Sequence, residues 1–183
     1  MNETNAKAAL MDEAAVGRAL VRITHEIIEK NKGCDNLCLI GIRRRGVPLA
    51  EILRENLFHV EGAEIPMGAL DITMYRDDLT ERTELPVVGA EAPGIEIQGK
   101  TVILVDDVIY TGRTVRAAID ALFRHGRPAA VQLAVLIDRG HRELPLRPDY
   151  VGKNVPTAKN EFIAVAVREI DGENGVYICD AKE

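Results

Sequence analysis

Tryptophan is missing from this 183-residue chain and aromatic residues make up only 4% of it. That scarcity argues against a binding surface built from stacked bases. No apolar run approaches the ~20 residues needed to span a bilayer. The first eleven residues lack a basic start followed by an apolar core, so no secretory signal is expected. Cys34, Cys38 and Cys179 are odd in number and lack zinc-like spacing, which suits reduced thiols in a cytoplasm. Basic charge is also short: 23 Lys and Arg stand against 29 Asp and Glu, a net charge of −6. This excludes a generic nucleic-acid coater but leaves room for a local basic face. Gly and Pro counts of 15 and 8 are ordinary, which argues against long disorder. What remains is a chain 46% hydrophobic, of a length that fits one domain with a proper core. It shows no internal repeat and no low-complexity tract.

The most informative stretch is Thr101-Val102-Ile103-Leu104-Val105-Asp106-Asp107-Val108-Ile109-Tyr110-Thr111-Gly112-Arg113-Thr114. Residues 102–105 form an unbroken apolar run that predicts a strand buried on both faces. Two carboxylates follow where that strand is expected to end, then a short loop. Val115, Ala118, Ile119 and Leu122 then recur at helical spacing. In an open α/β sheet, ligands bind just beyond the carboxyl ends of the strands. Backbone N–H groups, hydroxyls and the positive end of a helix dipole suit such a loop to a phosphate. The paired acids suit sugar hydroxyls and the neighbourhood of Mg²⁺, and would repel the phosphate itself. The pattern is neither a Walker loop nor a Gly-x-Gly-x-x-Gly turn. An ordinary helix cap needs one acid, not two followed by Thr-Gly-Arg-Thr. The stretch resembles the phosphoribosyl-pyrophosphate (PRPP) signature of type I phosphoribosyltransferases.

Residues 12–32 predict an amphipathic helix, with Val16, Leu20, Ile23 and Ile27 on one stripe and Arg18, Arg22, His25 and Glu29 opposite. A merely solvated face and a functional one carry equal weight there. Leu37–Ile42 reads as a second apolar strand, followed directly by Arg43-Arg44-Arg45-Gly46. A helix is expected from about Pro48 through Phe58. The arginines are either a solvated turn or a pyrophosphate clamp, since guanidinium matches phosphate oxygens in bidentate fashion. Residues 65–75 predict a strand. Residues 76–94 lose periodicity and predict a lid, or a two-stranded arm. Residues 131–137 form another buried strand, so the middle reads strand–helix–strand, the unit of a parallel sheet. Residues 138–159 break periodicity again. Residues 161–167 and 176–179 are expected closing strands, with a hairpin across residues 171–175.

Beyond the signature, Gly41-Ile42-Arg43-Arg44-Arg45-Gly46, Asp71-Ile72-Thr73-Met74-Tyr75-Arg76-Asp77-Asp78-Leu79, Asp138-Arg139-Gly140-His141-Arg142-Glu143-Leu144-Pro145 and Asp149-Tyr150-Val151-Gly152-Lys153-Asn154-Val155-Pro156-Thr157 resemble the bacterial PyrR family. Its members regulate the pyrimidine operon and carry uracil phosphoribosyltransferase activity. The resemblance covers nearly the whole chain in order. It implies one α/β domain over residues 1–183, a mostly parallel central sheet flanked by helices, with a flexible lid loop (about 76–94). It also implies a small hood, about 138–160 plus the N-terminal region.

By residue, the resemblance implies that Asp106 and Asp107 hold the ribose hydroxyls of PRPP and are the catalytic acids. Thr111, Gly112, Arg113 and Thr114 would cradle the 5′-phosphate, flanked by Val108, Ile109 and Tyr110. Arg44 and Arg45 would face the pyrophosphate, with Arg82 reaching in from the lid. Arg139 and Ile163 would border the base, uracil being read largely by backbone groups. Mg²⁺ is expected to arrive with PRPP, with no dedicated protein cage. No general base for the uracil N–H is evident. The implied partners are PRPP, uracil, UMP or UTP and pyr leader mRNA, in a homo-oligomer of two or more chains. Candidate RNA contacts are Arg18, Arg22 and His25, with Arg142, Arg147, Lys153 and Lys159. From Asp138 to Lys159 there are five Arg and Lys against three Asp and Glu. On charge alone a salt-bridged surface is the better reading; the resemblance raises RNA above it. Three readings follow: an enzyme that is also an RNA-binding attenuator, a phosphoribosyltransferase without an RNA role, and a nucleotide sensor with weak catalysis.

Overall fold

The computed structural model describes residues 6–72 and 93–180. Two apolar runs form the middle of the molecule. β2 (Leu37–Ile42) is buried at every position, and β4 (Thr101–Ile109) at most. Both lie inside a five-stranded sheet with β3 (Met67–Leu70), β5 (Ala130–Asp138) and β6 (Tyr150–Asn154), in the order β3-β2-β4-β5-β6. All four pairings are parallel. Parallel strands covered on both faces need continuous apolar sequence, which explains why these runs lack alternation.

Helices supply the cover. α1 (Glu13–Asn31) and α2 (Gly46–Glu61) pack on the face that includes Leu39, Ile103, Val105 and Leu136. α3 (Arg113–His125) covers the other, against Cys38, Ile40, Val102 and Leu104. Successive β4 residues thus alternate between two cores. α1 starts at the N-cap Asp12, which accepts from the Ala15 N–H at 2.7 Å. It stops at Lys32, whose φ of 57° ends the helix one residue before Gly33. α2 runs past Phe58 to Glu61, because Gly62 in the left-handed region caps it there. No helix among the described residues is long and apolar enough to cross a membrane.

A second, three-stranded antiparallel sheet joins the N-terminal β1 (Ala6–Met11) to β7 (Glu161–Ala166) and β8 (Gly175–Asp180), in the order β1-β8-β7. The short α4 (Arg168–Asp171) connects β7 to β8.

Other boundaries also differ from the sequence reading, and α4 at Arg168–Asp171 takes up part of the connection expected as a hairpin across residues 171–175. β4 continues through the two acids to Ile109, because β5 runs alongside it and pairs Asp106 with Val135 and Val108 with Ile137. Residues 150–154, expected in the hood, form β6, the edge of the main sheet beside β5. Their short polar sequence carries no pattern of its own; pairing with β5 supplies the structure. β3 covers only Met67–Leu70 of the strand expected over 65–75, whose residues 73–75 lie outside those described. The expected lid at 76–94 also falls largely outside them. β6 is tied to α1 by a small polar network. The Asn31 side-chain amide donates to Gln132 Oε1 and to the Tyr150 hydroxyl, both at 3.0 Å, and the Tyr150 hydroxyl donates to Gln132 Oε1 at 2.6 Å. All three cysteines are buried free thiols, and burial pushes Cys38 up to about 11.

Gly46 shows how tightly the β2–α2 turn is pressed on β4: a Cβ there would lie 2.2 Å from the Val105 carbonyl oxygen. Both groups are backbone, so neither can swing aside. Gly46→Ala is therefore expected to destabilise the protein by about 1–3 kcal/mol, as overpacking of a tight core does. A lowered urea midpoint at unchanged slope is the expected result.

Candidate active site

The site is built at the carboxyl edge of the main sheet, where β4 gives way to α3. Gly112 makes the turn with φ of 94° and is the N-cap of α3, yet no side chain caps the helix. The Arg113 N–H reaches Thr111 Oγ1 at 3.3 Å and the Arg116 N–H reaches the Gly112 carbonyl at 3.0 Å. The N–H groups of Thr114 and Val115 have no acceptor within the helix. An uncapped first turn with hydroxyls on either side can receive an anion. The cavity there, about 370 Å³, is lined by Val108, Ile109, Tyr110, Thr111, Gly112, Arg113, Thr114, Val115, Arg139 and Glu143. The structure thus gathers the whole loop predicted from sequence, and Arg139 with it. Ile163 does not line that cavity; on β7 it packs with Val108 against the core.

Asp106 and Asp107 precede the loop on β4. Asp106 is buried, and its carboxylate accepts from the Asp107 N–H at 2.9 Å. Asp107 accepts from the Val108 N–H at 2.8 Å. Burial pushes the Asp107 carboxyl above its ordinary range; the Val108 N–H, Asp106 and the positive charge of Arg45 oppose this without cancelling it. The arginine turn lies beside this strand, since Gly46, next to Arg45, is pressed against the Val105 carbonyl. Arg44 is exposed and Arg45 half-buried, and the Arg43–Arg44 peptide is cis. Arg82 lies outside the described residues.

Arg45 has a partner that sequence reading missed. Its Nε and Nη2 donate to the two oxygens of Asp171 at 3.2 and 2.9 Å. Asp171 Oδ2 also accepts from the Val167 N–H at 2.9 Å. Burial raises the Asp171 carboxyl, but Arg45 and the Val167 N–H outweigh it and leave the group below its ordinary range. The partners are 126 residues apart in sequence, and an acid in an Asp-Gly turn carries no signal for such a pair.

The segment from Asp138 to Arg142 is a knot that joins this loop to the second sheet. Asp138 accepts from the Gly140 N–H at 2.9 Å and from Arg142 at 2.6 Å. Arg139 is buried; it donates to Thr157 Oγ1 at 3.1 Å and to the Glu161 carbonyl at 2.6 Å. Its guanidinium carbon lies 3.8 Å from the centroid of the Tyr110 ring, a close cation–π contact. His141, in the left-handed region at φ of 58°, meets the Thr157 carbonyl through Nε2 at 2.6 Å. A carbonyl only accepts, so Nε2 carries the proton. Arg142 donates to the carbonyls of Tyr110 at 2.8 Å, Leu146 at 3.0 Å and Gly140 at 3.1 Å.

Most of the other cations predicted from sequence fall on α1 or on and beside β6, while Lys159 lies in the loop before β7. Arg18 and His25 are exposed on α1. Arg22 pairs with Glu26 at 2.7 Å and donates to the carbonyls of Val151 and Gly152 at 3.1 and 2.6 Å, which sets the α1 stripe beside β6. Lys153 donates to the Leu10 carbonyl at 3.1 Å. Arg147 and Lys159 are exposed, and Arg147 lines a cavity of about 550 Å³ with Asn154 and Arg142.

A parallel sheet with an uncapped phosphate-type loop, two adjacent acids and an arginine turn at one edge defines a phosphoribosyltransferase domain, and the family profile of that name matches residues 8–169. Two solved structures share the fold. A hypoxanthine phosphoribosyltransferase from Staphylococcus aureus superposes with a TM-score of 0.72 at 19% identity, over 100% of this chain and 96% of that one. That of Trypanosoma cruzi gives 0.70 at 21%, over 97% and 98%. Sequence relatives narrow the class. The bifunctional protein PyrR of Acetivibrio thermocellus is 62% identical over 177 residues, 97% of this chain and 96% of that protein. The protein of the same name from Pelotomaculum thermopropionicum is 59% identical, over 97% and 98%. The chain belongs to the PyrR family.

Arg142 makes four bonds that hold Tyr110, at the head of the loop, to the following turn. Arg142→Ala leaves the half-buried Asp138 carboxylate and the carbonyls without it. A loss of about 3 kcal/mol is expected, as when one partner of a buried pair is removed. Unfolding in urea should move to lower concentration, and amide exchange at residues 110–114 should quicken.

Proposed function

We propose that this protein is a nucleotide-responsive RNA-binding regulator of pyrimidine biosynthesis that also converts uracil and PRPP to UMP and pyrophosphate. The observation that carries the enzymatic reading is the uncapped start of α3 opening onto the same cavity as Arg139, with Asp106 and Asp107 just upstream. In this reading the 5′-phosphate sits in the Thr111–Thr114 turn, against the free N–H groups and the helix dipole. Asp106 and Asp107 hold the ribose hydroxyls. Arg44 and Arg45 meet the pyrophosphate, Arg82 joins from the lid, and Arg139 borders the base.

The reaction forms a bond from uracil N1 to ribose C1′, breaks the bond from C1′ to the pyrophosphate oxygen, and releases the N1 proton to the departing pyrophosphate or water. Positive charge grows on the ring while negative charge grows on the leaving group. Carboxylates near the ribose favour the first, and the arginines favour the second. In this reading Mg²⁺ enters with PRPP. Bound there, Mg²⁺ would screen the charge of the pyrophosphate.

The regulatory half rests on the cations beside β6. Arg18, Arg22, His25, Arg147, Lys153 and Lys159 would contact the phosphates of pyr leader mRNA, in the service of transcription attenuation. Arg142 serves as internal support for that surface, since its donors are engaged by protein acceptors. UMP or UTP in the active site would report pyrimidine supply. A cytoplasmic homo-oligomer of two or more chains fits this role.

Purified protein with PRPP and Mg²⁺, offered uracil, guanine, hypoxanthine and orotate separately, should release pyrophosphate with uracil alone. Turnover of a purine would overturn the base assignment, and UMP binding without any turnover would favour a pure sensor. Asp107→Asn should lower kcat by roughly 10²–10³, the usual effect of removing one electrostatic group, with its urea midpoint little changed. Arg18→Ala should weaken RNA binding and reduce the slope of log affinity against log salt by about one. Uracil turnover should persist in that variant, and RNA affinity equal to wild type across the salt series would remove Arg18 from the interface.

A further inference from the structure

Arg45 stands between two acidic groups with different claims on it. The β2–α2 turn that carries it is pressed on β4, with the Gly46 backbone against the Val105 carbonyl, and its charge reaches Asp107 on that strand. On the other side is Asp171, at the end of α4. The Asp171 side chain is only 9% exposed, against 32% for Arg45. It is also the more rigid of the two, because the Val167 N–H holds its Oδ2 and its own N–H is bound to the Val167 carbonyl at 2.7 Å.

We infer that Asp171 is a positioning residue: it holds the Arg45 guanidinium toward the pyrophosphate and away from the carboxylates that take the ribose hydroxyls. The pair uses Nε and Nη2. Nη1 makes no hydrogen bond among the described residues and is left for a phosphate oxygen. A guanidinium released from Asp171 is drawn to Asp107, whose carboxylate its charge already influences, and pairing there would occupy the ribose site. The inference rests on the proposed phosphoribosyl-transfer reading. It adds that the connection between β7 and β8, in the second sheet, controls an arginine of the β2–α2 turn in the main sheet.

The test is steady-state kinetics of wild type, Asp171→Asn, Arg45→Ala and the double variant, together with calorimetric PRPP binding in Mg²⁺. Asp171→Asn should raise the KM for PRPP roughly tenfold and change kcat much less, as expected when an arginine clamp is misaimed. The double variant should match Arg45→Ala alone, since a residue that acts through another adds nothing once that other is gone. An unchanged KM in Asp171→Asn, or effects that multiply in the double variant, would overturn the inference and leave the enzymatic reading intact. If Asp171→Asn fails to fold, Asp171→Glu keeps the charge but displaces it, and must also raise the KM for PRPP. Wild type that binds PRPP but turns over no base refutes uracil transfer, while PRPP affinity across the variants still decides the role of Asp171. Wild type that binds no PRPP refutes both.

Discussion

Everything in this molecule is hung on β4, a strand hydrogen-bonded on both edges and covered on both faces. Such a strand cannot expose a polar side chain along most of its length without leaving it unsatisfied in the core. Its acids can emerge only at the carboxyl end, where the covering helices stop. There Asp106 and Asp107 satisfy the next backbone N–H groups, and the chain turns through Gly112 into an uncapped helix. The uncapped turn and the acidic pair are therefore consequences of one buried strand ending. The β2–α2 turn reaches the same edge because β2 is the neighbour of β4, and Gly46 lets the two backbones touch.

The second sheet is fastened to this edge at two places that do opposite work. One is the knot from Asp138 to Arg142, where nearly every polar group is satisfied within the protein. Arg139 and His141 both reach Thr157, and Arg142 gathers three carbonyls and a carboxylate. This rigidity explains how a segment rich in charge can sit half-buried beside the cavity at the start of α3: the charges are paired or hydrogen-bonded. The other is Arg45 with Asp171, where the guanidinium keeps donors to spare. A fully satisfied network holds a loop in place, whereas a partly satisfied one can still take a ligand.

Cations are divided the same way. Arg142 looks like a surface charge in the sequence and is a structural member in the fold. Arg18, His25, Arg147 and Lys159 stay exposed, and Arg22 bridges from α1 to the backbone of β6 so that both carry their charges on adjoining elements.

The strand–loop–helix at 101–125, the α1 stripe and the Arg43–Arg45 turn were legible because each is local. Apolar runs, helical spacing and glycine position are written in consecutive residues and need no partner to be read. Family membership was legible for the same reason, through contiguous motifs. Other features came only with the tertiary structure. β4 extends through its acids because β5 lies beside it, and residues 150–154 become a strand only by pairing with β5. Arg142 turns inward because the Tyr110 carbonyl is there to meet it. Asp171 finds Arg45 across 126 residues. The sequence by itself determined which segments are buried and where the buried strand turns into a helix, because burial and backbone conformation follow from neighbouring residues. Which charges face the ligand and which hold the protein together was decided only by folding, because a charge is committed by the partner that long-range packing brings to it.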